Sequence, residues 1–144
     1  MDTSLHYLTM ANQMLIQKRL LERVKASGLT LGQPKVLDYL KDHDGASQKE
    51  IAAGCLIEAG SLTSILNRME EKGLIERQTL NGNRRTFHIF MTESGKKSQK
   101  LVEEVFNEIE NADLKVGEEE ELNARRTLII NSEKIVSSLS NAYY

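Results

Sequence analysis

The residues predict a mainly α-helical chain with a small β-wing near its middle, and three observations lead there. Long segments at both ends carry apolar residues at three-and-four spacing, the mark of amphipathic helices. In the middle, a helix-start signal (Ser47-Gln48-Lys49-Glu50) and a helix-stop signal (Lys72-Gly73) bracket two short helical stretches. Asn81-Gly82 then separates two short strand-like runs, and that pair is preferred in a tight hairpin turn. The expected order is helix-turn-helix followed by a wing, flanked by a helical layer.

Composition limits what such a chain can be. With 144 residues, 40% of them hydrophobic, it can bury one core without disulfides or metals, and there is room for about one domain. No apolar run approaches the ~18 residues of a membrane span, and the start lacks a basic region followed by an apolar core. A cytoplasmic protein is the expectation. Cys55 is the only cysteine, so no intrachain disulfide can form.

Taken in order, residues 4–26 read as a long helix with one apolar row at Leu5, Leu8, Ala11 and Leu15 and a second at Met10, Met14, Leu21 and Val24. The second row faces either another subunit or the chain's own core. Gly28 supplies a left-handed cap. Pro34, the single proline, fits the first turn of the next helix, where its missing N–H costs nothing, and Val36, Leu37 and Leu40 face inward. After a polar turn at residues 42–45, Ser47 and Glu50 form a capping box opening a helix with Ile51, Ala52 and Ala53. Residues 56–60 turn the chain. The following helix, about 60–72, buries Leu62, Ile65, Leu66 and Met69, and leaves Ser61, Thr63, Ser64, Asn67 and Arg68 exposed. Gly73 is its C-terminal cap, with Leu74 reaching back to Met69.

Residues 75–80 and 84–91 are expected as strands around a two-residue Asn81-Gly82 turn. That register sets Arg84 opposite Thr79 and Arg85 opposite Gln78, with Phe87, Ile89 and Met91 facing the helices. Thr92 caps a helix over residues 93–113 with Leu101, Val102, Val105, Phe106 and Ile109 inward. A turn at Lys115-Val116-Gly117 precedes a last helix to about Ser140, and Glu118 to Glu121 suit its N-terminus. Its apolar residues are Leu122, Leu128, Ile129, Ile135, Val136 and Leu139.

The formal net charge of −2 hides an uneven distribution. Residues 61–97 hold seven basic against four acidic side chains, whereas residues 101–121 hold nine acidic against one basic. A polyanion is drawn to the first segment and repelled by the second. Ser61, Thr63, Ser64, Asn67 and Arg68 are short hydrogen-bonding side chains plus a guanidinium, a set that can reach base edges in a major groove about 12 Å wide. An ordinary solvated helix face would more often carry Glu and Lys. Arg84 and Arg85, near the wing tip, can enter a minor groove or simply solubilise the tip.

Signals for enzymatic chemistry are weak. His6, His43 and His88 are scattered and, with Cys55, show no metal-ligand spacing, so no metal or cofactor is expected and the chain does not read as an enzyme. Cys55 reads as a small core residue rather than a redox switch. Tyr7, Met10, Met14 and Tyr39 are candidates for lining an effector crevice, and packing explains them equally well.

These segments together resemble the MarR family of winged helix-turn-helix transcriptional regulators over essentially the whole chain. The resemblance rests on residues 29–34 (Leu-Thr-Leu-Gly-Gln-Pro), 47–52 (Ser-Gln-Lys-Glu-Ile-Ala), 62–77 from Leu62 to Arg77, Asn83-Arg84-Arg85 and 91–95 (Met-Thr-Glu-Ser-Gly). It implies one domain over residues 1–144, with a winged helix-turn-helix DNA-binding part at 30–97 and a helical dimerisation part at 1–29 and 98–144. It also implies a homodimer that binds a pseudo-palindrome in double-stranded DNA, with half-sites about 34–36 Å apart. Repression, and release by a small aromatic effector, are further family expectations. The DNA contacts it implies are Ser61, Thr63, Ser64, Asn67 and Arg68 on the helix and Arg84 and Arg85 in the wing. Two positions depart from the family pattern: Asn83 stands where an Asp commonly precedes the arginine pair, and Ser64 where Arg often follows the Thr. The alternative reading is a winged-helix module whose helix surface binds a protein.

Overall fold

The computed structural model describes residues 4–111 and 118–143, and the chain divides into two units, Met1–Glu110 and Asn111–Tyr144. The first unit begins with α1 (Leu5–Val24), which runs through a 3-10 turn (Lys25–Ser27) into α2 (Gln33–Leu40). It continues through β1 (Ala46–Ser47), α3 (Gln48–Cys55), α4 (Ala59–Glu71), β2 (Ile75–Thr79), β3 (Phe87–Met91) and α5 (Glu93–Glu110). The second unit contains α6 (Glu118–Tyr143). The architecture is mainly helical with a small antiparallel wing, as the sequence predicts. No described helix is long and apolar enough to cross a membrane.

The core of the first unit gathers one apolar stripe from each helix. Val36, Leu37 and Leu40 of α2 meet Ile51 and Cys55 of α3, Leu62, Leu66 and Met69 of α4, Ile75 and Ile89 of the sheet, and Val102 and Val105 of α5. Local signals set the joints between these stripes. The Ser47 hydroxyl accepts from Glu50 N–H at 3.2 Å while Ser47 N–H donates to Glu50 Oε2 at 2.8 Å, completing the capping box. At the far end of α4, Gly73 takes φ +71°, and Leu74 N–H bonds the Met69 carbonyl at 2.9 Å, so the Schellman stop forms as expected. Thr92 Oγ1 accepts from Gly95 N–H at 3.0 Å and caps α5.

The wing departs from its predicted register. Asn81 and Gly82 do adopt positive φ, and Asn83 N–H bonds the Leu80 carbonyl at 3.1 Å, so the expected turn forms locally. The ladder, however, pairs Ile75 with Met91, Arg77 with Ile89 and Thr79 with Phe87, leaving residues 80–86 as a loop. Arg84 and Arg85 therefore lie in that loop and oppose neither Thr79 nor Gln78. Burial is the physical reason, because an odd shift in register exchanges the two faces of a strand. The observed pairing puts Ile75, Ile89 and Met91 on one core-facing side, whereas the tighter hairpin would have set Ile75 beside His88. Phe87, expected to face the helices, is exposed.

A third strand was not anticipated: β1 pairs with β3 through Ala46–Ile89 and Ser47–His88, giving the order β1-β3-β2. It gives the ribbon a third strand, which an isolated pair lacks. Helix α1 divides by its ends rather than by its two apolar rows. Leu20 and Val24 are buried, whereas Leu5, Leu8, Met10, Met14 and Leu15 are all exposed. Ion pairs Arg23–Glu108 (2.8 Å) and Lys41–Glu103 (3.1 Å) link α5 to α1 and α2.

Helix α5 ends at Glu110, earlier than the expected residue 113. That residue and the predicted turn at Lys115-Val116-Gly117 lie outside the described residues, as do the side chains of Glu118 to Glu121 and Leu122. On α6, Leu128, Ile129, Ile130, Val136 and Leu139 are exposed.

Candidate nucleic-acid interface

Helix α4 is fixed from three sides, and this sets which of its residues face out. Its inner stripe, Leu62, Leu66 and Met69, is fully buried. Gly32, at φ +86°, lets Ile65 approach the start of α2, where a Cβ would collide with the Ile65 side chain. At the other end, Lys72 Nζ donates to the Gly28 carbonyl (2.6 Å) and to Gln33 Oε1 (3.1 Å). Gln33 is itself buried, and its Oε1 also accepts from Thr30 N–H at 3.1 Å. The helix therefore cannot roll without breaking both a packed stripe and this polar latch.

With the inner stripe buried, Ser61, Thr63, Ser64, Asn67 and Arg68 are all exposed on α4, as the sequence predicts. Two of them are held by side chains from other elements. Gln48 Nε2 of α3 donates to Thr63 Oγ1 at 2.7 Å, and the Thr63 hydroxyl donates in turn to the Ala59 carbonyl at 3.0 Å. Its proton is thus committed to its own helix, which leaves a methyl group and one lone pair outward. Asn67 Oδ1 accepts from Arg77 Nη2 of β2 at 2.8 Å, while Arg77 Nη1 bonds Glu70 Oε2 at 2.5 Å. The Arg77 side chain is only 21% exposed. Arg68 makes no ion pair among the described residues.

In the wing loop, the Asn83 side-chain Oδ1 accepts from Arg85 N–H at 3.0 Å. Asn83 thus organises the loop backbone, a task unlike that of a carboxylate gripping a guanidinium. Arg84 and Arg85 are exposed, and neither forms an ion pair among the described residues. Both are therefore available to a polyanion. Sequence reasoning found the outward residues of α4 but missed Gln48 and Arg77. A polar residue just after an N-cap and a lone Arg in a strand were the only signals, and neither is distinctive.

The effector candidates fall in different surroundings. Tyr7, Met10 and Met14 are exposed on α1. Tyr39 stacks on His43 with ring centroids 4.2 Å apart and planes 4° from parallel, and its ring lies against Gly54, where even a Cβ would not fit. His88 Nδ1 lies 2.8 Å from the Gly45 carbonyl. Cys55 is buried, and burial pushes its thiol up to about 11, the pattern of an inert core cysteine.

Residues 27–86 match the model of the MarR family. Among characterised proteins, the chain is 31% identical over 77 residues to a putative transcriptional regulatory protein for the hcr operon of Thauera aromatica, covering 54% of this chain and 46% of that protein. It is 32% identical over 80 residues to the HTH-type transcriptional repressor MdtR of Bacillus subtilis, covering 56% and 52%. The matched segment thus spans about half the length of these relatives. Among solved structures, a Staphylococcus aureus MepR–DNA complex superposes with a TM-score of 0.82 at 26% identity, covering 96% of this chain and 99% of that one. The transcriptional regulator SlyA gives a TM-score of 0.80 at 24% identity over 99% of this chain and 100% of that one, a likeness of fold.

Proposed function

We propose that this chain, whose residues 27–86 match the MarR family model, is a winged helix-turn-helix transcriptional regulator of that family that binds a specific duplex DNA sequence as a homodimer. The observation that carries the reading is the outward face of α4. Ser61, Thr63, Ser64, Asn67 and Arg68 stand exposed above a fully buried stripe, on a helix latched at its C-terminal end by Lys72. An ordinary solvated helix face more often carries Glu and Lys, whereas these hydrogen-bonding side chains and the guanidinium match the donors and acceptors of major-groove base edges. Arg84 and Arg85, exposed in the loop over residues 80–86 and without an ion pair among the described residues, are the proposed source of phosphate or minor-groove contacts. The MepR relative is seen bound to DNA, which supports DNA as the partner class.

Weak charge makes the dimer important to this reading. With a net charge of −2 and Ser64 and Asn83 in place of charged residues, one copy offers few phosphate contacts. Two copies double them, and doubled contacts multiply affinity. The exposed apolar residues of α1 and α6 support self-association, since patches of this kind are seldom left to water. The operator then has twofold symmetry, with half-sites about one helical turn apart. We further propose repression of nearby genes as its action and a small aromatic effector as its release signal.

Selection from random duplexes at fixed salt, followed by competition between the selected duplex and a scrambled one, tests the reading. Enrichment of a pseudo-palindrome supports it. Absence of any enrichment refutes specific DNA reading and favours a protein partner for the α4 face.

A further inference from the structure

The bond between Arg77 and Asn67 fixes more than the position of a side chain; it fixes which half of the amide faces outward. A guanidinium has only donors, so the atom of Asn67 turned to Arg77 must be the carbonyl oxygen. Arg77 is itself restrained, because Nη1 is bound to Glu70 while Nη2 holds Asn67 at 2.8 Å. Glu70 lies three residues after Asn67, one turn along the same face of α4, so the two acceptors form a fork that matches the guanidinium. The Arg77 side chain as a whole is 21% exposed, so it lies along the surface of α4 rather than out in solvent. Asn67 therefore presents its NH2 group outward and keeps its oxygen turned toward β2.

That polarity has consequences for base reading. An asparagine recognises adenine with two bonds, its oxygen accepting from N6 and its nitrogen donating to N7. The oxygen keeps a second lone pair, but turned toward Arg77 it cannot lie beside the NH2 group on the outward edge, so the paired geometry adenine needs is broken, whereas guanine still offers two acceptors, N7 and O6, to the NH2 group. We propose that Arg77 is a positioning residue that makes Asn67 a donor, selecting guanine over adenine at the base it meets. The inference rests on the DNA-binding reading above and deepens it.

The test uses the full-length protein and the duplex obtained by selection. The position read by Asn67 is the one whose base preference collapses in Asn67→Ala. At that position the wild type is expected to bind guanine roughly tenfold more tightly than adenine. Replacing the guanine by 7-deazaguanine should lower affinity, because the N7 acceptor is gone. Arg77→Met frees the oxygen and should move the guanine-to-adenine ratio roughly tenfold toward adenine, while Arg77→Lys, which keeps a donor, should hold the ratio near wild type. A merely structural role for Arg77 would weaken all duplexes alike and leave the ratio unchanged, and that result overturns the inference. So does adenine preference in the wild type, or an Asn67→Ala variant with unaltered selectivity; in both cases the DNA-binding reading stands. If Arg77→Met fails to fold, the wild-type base ratio and the 7-deazaguanine duplex still decide. Failure to enrich any duplex defeats the DNA-binding reading and this inference together.

Discussion

Substituting Gly95 by Ala pits helix propensity against packing, and the structure decides which wins. Gly95 lies in the first turn of α5, with no need for positive φ, so alanine should gain up to ~1 kcal/mol from propensity alone. An added Cβ, however, would press on the carbonyl oxygen of Leu74, a backbone atom that cannot swing aside as a flexible side-chain tip can. Overpacking of this kind costs ~1–3 kcal/mol. The same carbonyl accepts the Thr92 N–H at 3.1 Å, so moving it also weakens a bond contributing ~1 kcal/mol. The net expectation is destabilisation by ~1–3 kcal/mol, or roughly 4 °C in Tm for each kcal/mol in a chain of this size. Urea denaturation at one fixed protein concentration measures it, since the stability of the proposed dimer would depend on concentration. Gly60→Ala is the control, because nothing lies within 4 Å of a Cβ there, and it should be neutral or stabilising. A Gly95→Ala protein as stable as wild type would refute the close approach of α5 to the base of the wing.

Ser47→Ala removes the cap of α3 and should cost ~1 kcal/mol in the same denaturation assay. The bonds from Ser47, backbone first and hydroxyl second, hold the Glu50 carboxyl below its ordinary value. Glu50 accordingly contributes stability above the ordinary glutamate pKa, about 4.3, and loses it as pH falls through the lowered folded value. Glu50→Gln should flatten that part of the pH profile, and an unchanged profile would contradict the capping geometry. Cys55, with its thiol at about 11, should react with iodoacetamide at pH 8 roughly a hundredfold more slowly in the folded protein than in urea. Comparable rates would show that the core is open there. Arg84→Ala should lower the salt dependence of DNA binding by about 0.9 for each phosphate that the guanidinium neutralises, and an unaltered slope would remove Arg84 from the interface.

What was legible in the sequence was what is local. The Ser47–Glu50 box, the Gly73 stop and the Thr92 cap each join a side chain or glycine to backbone within a few residues, and each formed as expected. The outward face of α4 was equally legible, because helical periodicity alone separates Leu62, Leu66 and Met69 from their neighbours. Asn81-Gly82 shows where such reading stops. The dipeptide made its turn, but the ladder was set by burial of Ile75 with Ile89, a choice between partners distant in sequence. Strand β1, at two residues, is too short to have a period. Gln48 and Arg77 act across elements, so their roles appear only once α3, α4 and β2 are packed together. The burial of α1 by ends is likewise a property of what α5 covers.

Hydroxyl-radical footprinting of the wild-type protein on its selected duplex tests the central claim most directly, that the α4 face reads DNA as one half of a symmetric dimer. Two protected patches related by twofold symmetry, with centres about 34–36 Å apart along the duplex, are the predicted result. Uniform protection independent of sequence, or no protection at all, would contradict it.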